Sequence, residues 1–213
     1  MFDIKKEVDE MYEQMREWRE DFHRHPELGY NLERTAGIVA SHLKNLGLEV
    51  TEHVGKMGVV ALLKGGKPGK VLAIRADMDA LPIQEATGLS YSSETPGIMH
   101  ACGHDGHTAM LMAAASVLTK HKDEIHGTIK FIFQPAEEGG RGAYAMVRDG
   151  VLENPRPDAI MAAHMMFWEA GTITIRKGSA YLASDSFRIK VHGHGGHGCK
   201  PHECTDTILA ACK

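Results

Sequence analysis

His100-Ala101-Cys102-Gly103-His104-Asp105-Gly106-His107-Thr108 places three histidines, a cysteine and an aspartate within nine residues. It runs straight into Ala109-Met110-Leu111-Met112-Ala113-Ala114-Ala115-Ser116-Val117-Leu118, a stretch of strong helix formers. A loop that feeds a helix N-terminus presents its side chains rigidly and favours negative charge, a thiolate included. Cys102 and His104 are soft and borderline donors at a spacing that lets both face one ion, as zinc and other divalent transition metals accept. Two donors do not make a site. Alone, the stretch reads more readily as a polar loop with a buried cysteine, so the metal reading needs partners from elsewhere in the chain.

On both sides of this loop and its helix, expected over 108–120, lie apolar runs of strand type. Val71-Leu72-Ala73-Ile74-Arg75-Ala76 precedes it; Thr128-Ile129-Lys130-Phe131-Ile132-Phe133 and Ala159-Ile160-Met161-Ala162-Ala163 follow, with a helix expected near 142–148 between them. Strands separated by helices argue for an α/β layer with a largely buried sheet. Further strands are expected at 48–54 and 59–64, the latter joined to 71–76 through Gly65-Gly66-Lys67-Pro68-Gly69, a turn. Nearer the N-terminus, Ile4, Val8, Met11, Met15, Trp18 and Phe22 recur at alternating steps of four and three, the stripe of an amphipathic helix capped by Asp3 and ended at His25-Pro26. A second helix is expected at 32–45, with Asn31 as cap and Gly47 past its end. Beyond Gly171, Thr172-Ile173-Thr174-Ile175 and Ser186-Phe187-Arg188-Ile189-Lys190-Val191 alternate in period two, as half-buried antiparallel strands do. A Gly/His-rich loop follows, then a helix start near Asp206. The expected organisation is one domain over 1–180 and the beginning of a second over 181–213.

The chain has 213 residues, 43% hydrophobic and 24% charged, with a net charge of −4 and a pI near 6.4. There is no basic excess for nucleic acid or anionic membrane, and no apolar run approaches the roughly 18 residues that span a bilayer. The first residues lack a signal-peptide hydrophobic region. Four cysteines do not make a disulfide framework, so a reducing cytoplasm is expected. Histidine is the outlier, 14 in all, clustered at 23/25, 100/104/107 and 192/194/197/202. Such clusters point to metal or acid–base chemistry.

Three further constellations follow the apolar strands. Asp77-Met78-Asp79 ends one, Gln134-Pro135-Ala136-Glu137-Glu138-Gly139-Gly140 another, and His164 the third. Groups at the ends of neighbouring strands converge in the crevice where open α/β sheets hold their sites. Adjacent carboxylates at Glu137 and Glu138 can divide the labour, one binding metal while the other stays free to take a proton from metal-bound water. By itself His164 reads as a hydrogen-bonded core residue; it gains weight as the fourth donor of a set. Cys199 and Cys204, with His192 and His194, fit no standard zinc spacing.

The chain resembles the amidohydrolase branch of metallopeptidase family 20. Its matching motifs, in the family's order, are Phe22-His23-Arg24-His25-Pro26-Glu27-Leu28, Arg75-Ala76-Asp77-Met78-Asp79-Ala80-Leu81-Pro82, the His100–107 stretch, Phe133-Gln134-Pro135-Ala136-Glu137-Glu138-Gly139-Gly140 and Gly195-Gly196-His197. The resemblance implies a zinc-peptidase-like catalytic domain, a mixed sheet flanked by helices, with the start of an inserted α+β, ferredoxin-like lid and dimerisation domain. It implies two divalent metal ions, zinc or manganese with cobalt or nickel as alternatives, held by Cys102, His104, Glu138 and His164, with Glu137 as general base. Asp79 matches an aspartate that in relatives orients a ligand His two positions earlier, where this chain has Asp77. His197 matches a lid histidine that reaches the developing oxyanion, often across a dimer interface. The remaining ligand His would lie beyond Lys213, so little activity is expected of residues 1–213 alone. The implied reaction is hydrolysis of the amide of a small N-acyl amino acid, such as an N-acetyl amino acid or hippurate, by a homodimer in the full-length protein. The alternatives are a dipeptidase or carboxypeptidase of the same family, or an inactive truncated metal-binding fragment.

Overall fold

The computed structural model describes residues 3–179, 185 and 187–213, and the chain divides into two compact units, Met1–Phe167 and Trp168–Lys213. The expected boundary at 180/181 lies outside the described residues.

In the first unit, helix α1 (Ile4–Arg24) starts as expected, with the Asp3 carboxylate accepting from the Lys6 N–H at 3.2 Å, and ends at His25. Helix α2 (Glu33–Asn45) departs from expectation at its cap. Leu32 holds that position with no side-chain bond, and the Glu27 carboxylate accepts from the N–H groups of Arg34 (3.1 Å) and Thr35 (2.7 Å) instead. A carboxylate there satisfies two orphan donors and complements the helix dipole. Helix α3 (His104–Lys120) begins four residues earlier than expected, with Gly103 at φ +83° as its N-cap. His104 to Thr108 are poor helix formers, but all five are buried, and packing overrides propensity.

Five strands, β1 (Glu49–Val54), β2 (Gly58–Lys64), β3 (Lys67–Asp77), β4 (His126–Gln134) and β5 (Ala159–Ala162), form one mixed sheet in the order β1-β2-β4-β3-β5. The turn joins β2 to β3, but these strands do not pair. β4 lies between them, antiparallel to β2 and parallel to β3, and β5 runs parallel on the far side of β3. At the base of this insertion Gly127, with φ +90°, passes so near Lys70 that a Cβ would stand 1.9 Å from its carbonyl oxygen. One face of the sheet carries the main core, where Phe22, Leu32, Val39, Leu43, Leu111 and Met112 of the helical layer meet Val59, Ala61, Phe131 and Phe133. The other face packs Val60, Ala73 and Ile132 against Met146 of helix α4 (Gly142–Arg148) and Val151. Because β3, β4 and β5 are parallel, their C-terminal ends deliver Asp77, Gln134 and Ala162 to one edge.

The second unit contains helix α5 (Thr207–Cys212), whose N-cap Asp206 accepts from the Leu209 N–H at 2.9 Å. The strands expected at 172–175 and 186–191 are not formed among the described residues. Ile173, Ile175, Phe187 and Ile189 are exposed, at 75–91%. Period-two alternation supplies a strand face, but a ladder needs a partner for its backbone groups. No helix among the described residues is long and apolar enough to cross a membrane.

Candidate metal centre

His104, the first residue of α3, is fully buried at the C-terminal edge of the sheet. Its Nε2 lies 3.6 Å from Asp77 Oδ2 and 3.8 Å from Glu138 Oε1, and its Nδ1 3.6 Å from Asp79 Oδ1. These distances exceed hydrogen-bond reach, and both ring nitrogens, with Glu138 Oε1, are buried without a hydrogen-bond partner. Three groups of potential ligand atoms each lie within 4.8 Å of one another: Cys102/His104/His164, Asp77/His104/His107 and His104/Glu137/Glu138. His104 belongs to all three. Cys102 Sγ is 3.5 Å from His164 Nε2.

The electrostatics suit a bound cation. Burial pushes the Cys102 thiol up, and the Glu138 carboxylate and the charges of Asp77 and Glu137 add to it, to about 12. Burial pulls His104 down, but Asp79, Asp77 and Glu138 outweigh it and raise its pKa. Burial likewise pushes Asp77 up, yet the His107 hydrogen bond, then Arg75 and His104, hold it at about 2. A divalent ion would supply the charge that this cluster of carboxylates, imidazoles and a thiol lacks. It would also favour the Cys102 thiolate and take up the idle lone pairs. An unsatisfied buried polar group costs about 1–3 kcal/mol, so several within one contact shell need an occupant. The donor set of thiolate, imidazole and carboxylate suits a borderline divalent metal.

Asp79 does more than the sequence suggested. Its Oδ1 accepts from the Glu137 N–H (2.8 Å) and its Oδ2 from the Glu138 N–H (3.1 Å), so one carboxylate pins the turn that carries both glutamates. Tyr30 steadies the same turn by donating to the Gly140 carbonyl at 2.8 Å. Glu138 is half-buried beside His104, and Glu137 is exposed. Asp77 accepts from His107 Nδ1 at 2.6 Å and stands 2.7 Å from Arg75 Nη1 as an ion pair. Neither Arg75 nor His107 was singled out from the sequence as a site residue. Their spacings, two before Asp77 on a strand and three after His104 on a helix, were the available signals. His197 lies in the second unit, where its Nδ1 accepts from the Cys199 N–H at 3.3 Å. Cys199, Cys204, His192 and His194 join no potential metal group among the described residues.

Residues 73–213 match the model of peptidase family M20/M25/M40. The chain belongs to this family. Among M20 relatives it is 44% identical over 210 residues to the N-acyl-L-amino acid amidohydrolase of Geobacillus stearothermophilus, covering 97% of this chain and 56% of the relative. It is 45% identical over 210 residues to thermostable carboxypeptidase 1 of Saccharolobus solfataricus, covering 97% and 53%. A crystal structure from Bacillus subtilis described as a dinuclear metal binding peptidase of the M20 family superposes with a TM-score of 0.69 at 41% identity, over 73% of this chain and 44% of that one. The chain thus spans about half the length of the curated M20 relatives it matches.

Proposed function

We propose that the protein carrying this chain is a metal-dependent amidohydrolase that cleaves the amide of small N-acyl amino acids. The observation that carries the reading is the idle, buried ring of His104 among Asp77, Asp79 and Glu138, with the free carboxylate of Glu137 next to it. Cys102, His104, Glu138 and His164 are the proposed ligands. Two divalent ions, zinc or manganese with cobalt or nickel as alternatives, supply Lewis-acid activation of water and of the scissile carbonyl when bound. Glu137 takes the proton of the attacking water on its carboxylate oxygen and returns it to the leaving amine nitrogen. Asp79 keeps that carboxylate in place by holding the Glu137 and Glu138 backbone. The reading extends to the reducing cytoplasm, where four free cysteines persist as thiols, and to a homodimer formed through the second unit.

The runner-up, a carboxypeptidase or dipeptidase, draws on the Saccharolobus relative. Amine release from hippurate and N-acetyl amino acids, set against unblocked dipeptides with zinc or manganese present, separates the two. The acylated panel is expected to be preferred. Glu137→Gln should lower turnover by roughly 10²–10⁴-fold with metal content unchanged. Preference for dipeptides would move the assignment to the runner-up, and a normal rate in the variant would remove Glu137 as the base.

A further inference from the structure

The ring of His107 is engaged at both nitrogens. Its Nδ1 lies 2.6 Å from Asp77 Oδ1, and its Nε2 accepts from the backbone N–H of Met165 at 2.9 Å. Since Met165 can only donate there, the Nε2 lone pair is committed, and the ring proton sits on Nδ1, pointing at Asp77. Asp77 is in turn held by Arg75, whose Nε also donates to Gln134 Oε1 at 2.9 Å. On the other side of the same residue, the Met165 carbonyl accepts from His164 Nδ1 at 2.7 Å. That bond leaves His164 Nε2 as the nitrogen facing Cys102 Sγ, 3.5 Å away. The Met165 side chain is seated as well. A methyl group added at Gly103 would stand 2.7 Å from Met165 Cε, and one added at Gly106 2.5 Å.

We infer that His107, ordered by Asp77, is a positioning residue that sets the direction of the His164 ring through the backbone of Met165. Its purpose rests on the proposed metal centre; its geometry does not. His107 belongs by proximity to a possible ligand group with Asp77 and His104. A ligand must offer a free lone pair, however, and His107 has none to give, whereas both nitrogens of His104 are idle. Partners that fix a ligand ring through its second nitrogen are usual behind metal centres. Here the link passes through one peptide unit.

The test starts on metal-free protein, labelled with nitrogen-15, where ring nitrogen shifts report the tautomers of His107 and His164. Both are expected to carry their proton on Nδ1. His107→Ala should speed hydrogen exchange at the Met165 amide by about tenfold or more, reflecting the lost acceptor, and leave His164 with mixed tautomers. Zinc titration of the same variant should show the wild-type number of ions bound about 10–100-fold more weakly. His107→Gln, whose carboxamide can donate to Asp77 and accept from Met165, should recover part of both effects. An Nε2 proton on His107, loss of one whole ion in His107→Ala, or unchanged Met165 exchange and His164 tautomer would each overturn the inference. Wild-type protein that takes up no zinc would sink the metal reading, and the tautomer and exchange data would still decide whether His107 orders His164.

Discussion

Lys130, in the middle of β4, and His104, at the edge where β4 ends, are both withdrawn from water, at 2% and 0% exposure. The protein answers them differently. Lys130 Nζ donates to the carbonyls of Val151 (2.8 Å), Glu153 (2.7 Å) and Pro155 (2.9 Å), so all three of its donors are used. Burial lowers its pKa, the charge of Glu153 opposing. His104 has three carboxylates near its ring nitrogens, those of Asp77, Asp79 and Glu138, and a hydrogen bond to none of them. A buried polar group completed by its own chain is part of the frame. One left incomplete among converging donors is a place kept for something else.

Substitution should separate the two. Lys130→Met strands three carbonyls and is expected to cost about 3 kcal/mol or more in urea unfolding, with zinc uptake preserved in the folded fraction. A loss under 1 kcal/mol would mean that those carbonyls find other donors and that the contrast is overdrawn. His104→Phe removes nitrogens that bond to nothing. In metal-free protein no hydrogen bond is lost, only the charge that Asp79, Asp77 and Glu138 favour on the ring, so the cost should stay below that of Lys130→Met while zinc binding is abolished. A large loss without metal would show that the ring is held by its own chain after all. His42 supplies the smallest effect and an intermediate case, its Nε2 satisfied by Ser116 Oγ (2.9 Å) and its ring edge-on to Trp18 at 4.7 Å. Burial lowers its pKa below 6.5, the Met112 carbonyl opposing. Between the lowered value and 6.5 the unfolded chain binds more protons, so stability falls as pH drops through that window. His42→Gln should flatten this part of the stability–pH curve, and an unchanged slope would exclude His42 as its source.

Much of the first unit could be read from the sequence, because apolar runs and the three-and-four stripe respond to local periodicity. Sheet order could not. Nothing in the turn between β2 and β3 says that β4 will part them, since that choice is made by burial of Phe131 and Phe133 on one face and Ile132 on the other. The Glu27 cap of α2 escaped notice because its carboxylate acts several residues from where a cap is sought. The same limit applies at the candidate metal centre. Cys102, His104, Glu138 and His164 are side chains of ligand type, and it is as a set that they stand out in the sequence. The partners of Asp79 and His107 are backbone N–H groups, which every residue but proline owns and no letter marks. In the second unit the period-two segments showed a face, but among the described residues no ladder forms on it.

The insertion of β4 also has a consequence in time. β2 and β3 do not pair as a hairpin, because the strand that lies between them comes from beyond the His100–His107 loop and α3 in the sequence. Closing the sheet therefore waits for a distant segment, the slow kind of step in folding. The same step carries Glu137 and Glu138 to Asp79. Refolding followed by a fluorophore near β4 and by zinc uptake should show both signals rising in a single phase, the centre maturing as the sheet does. Zinc captured well ahead of strand docking would mean that the loop assembles its ligands on its own.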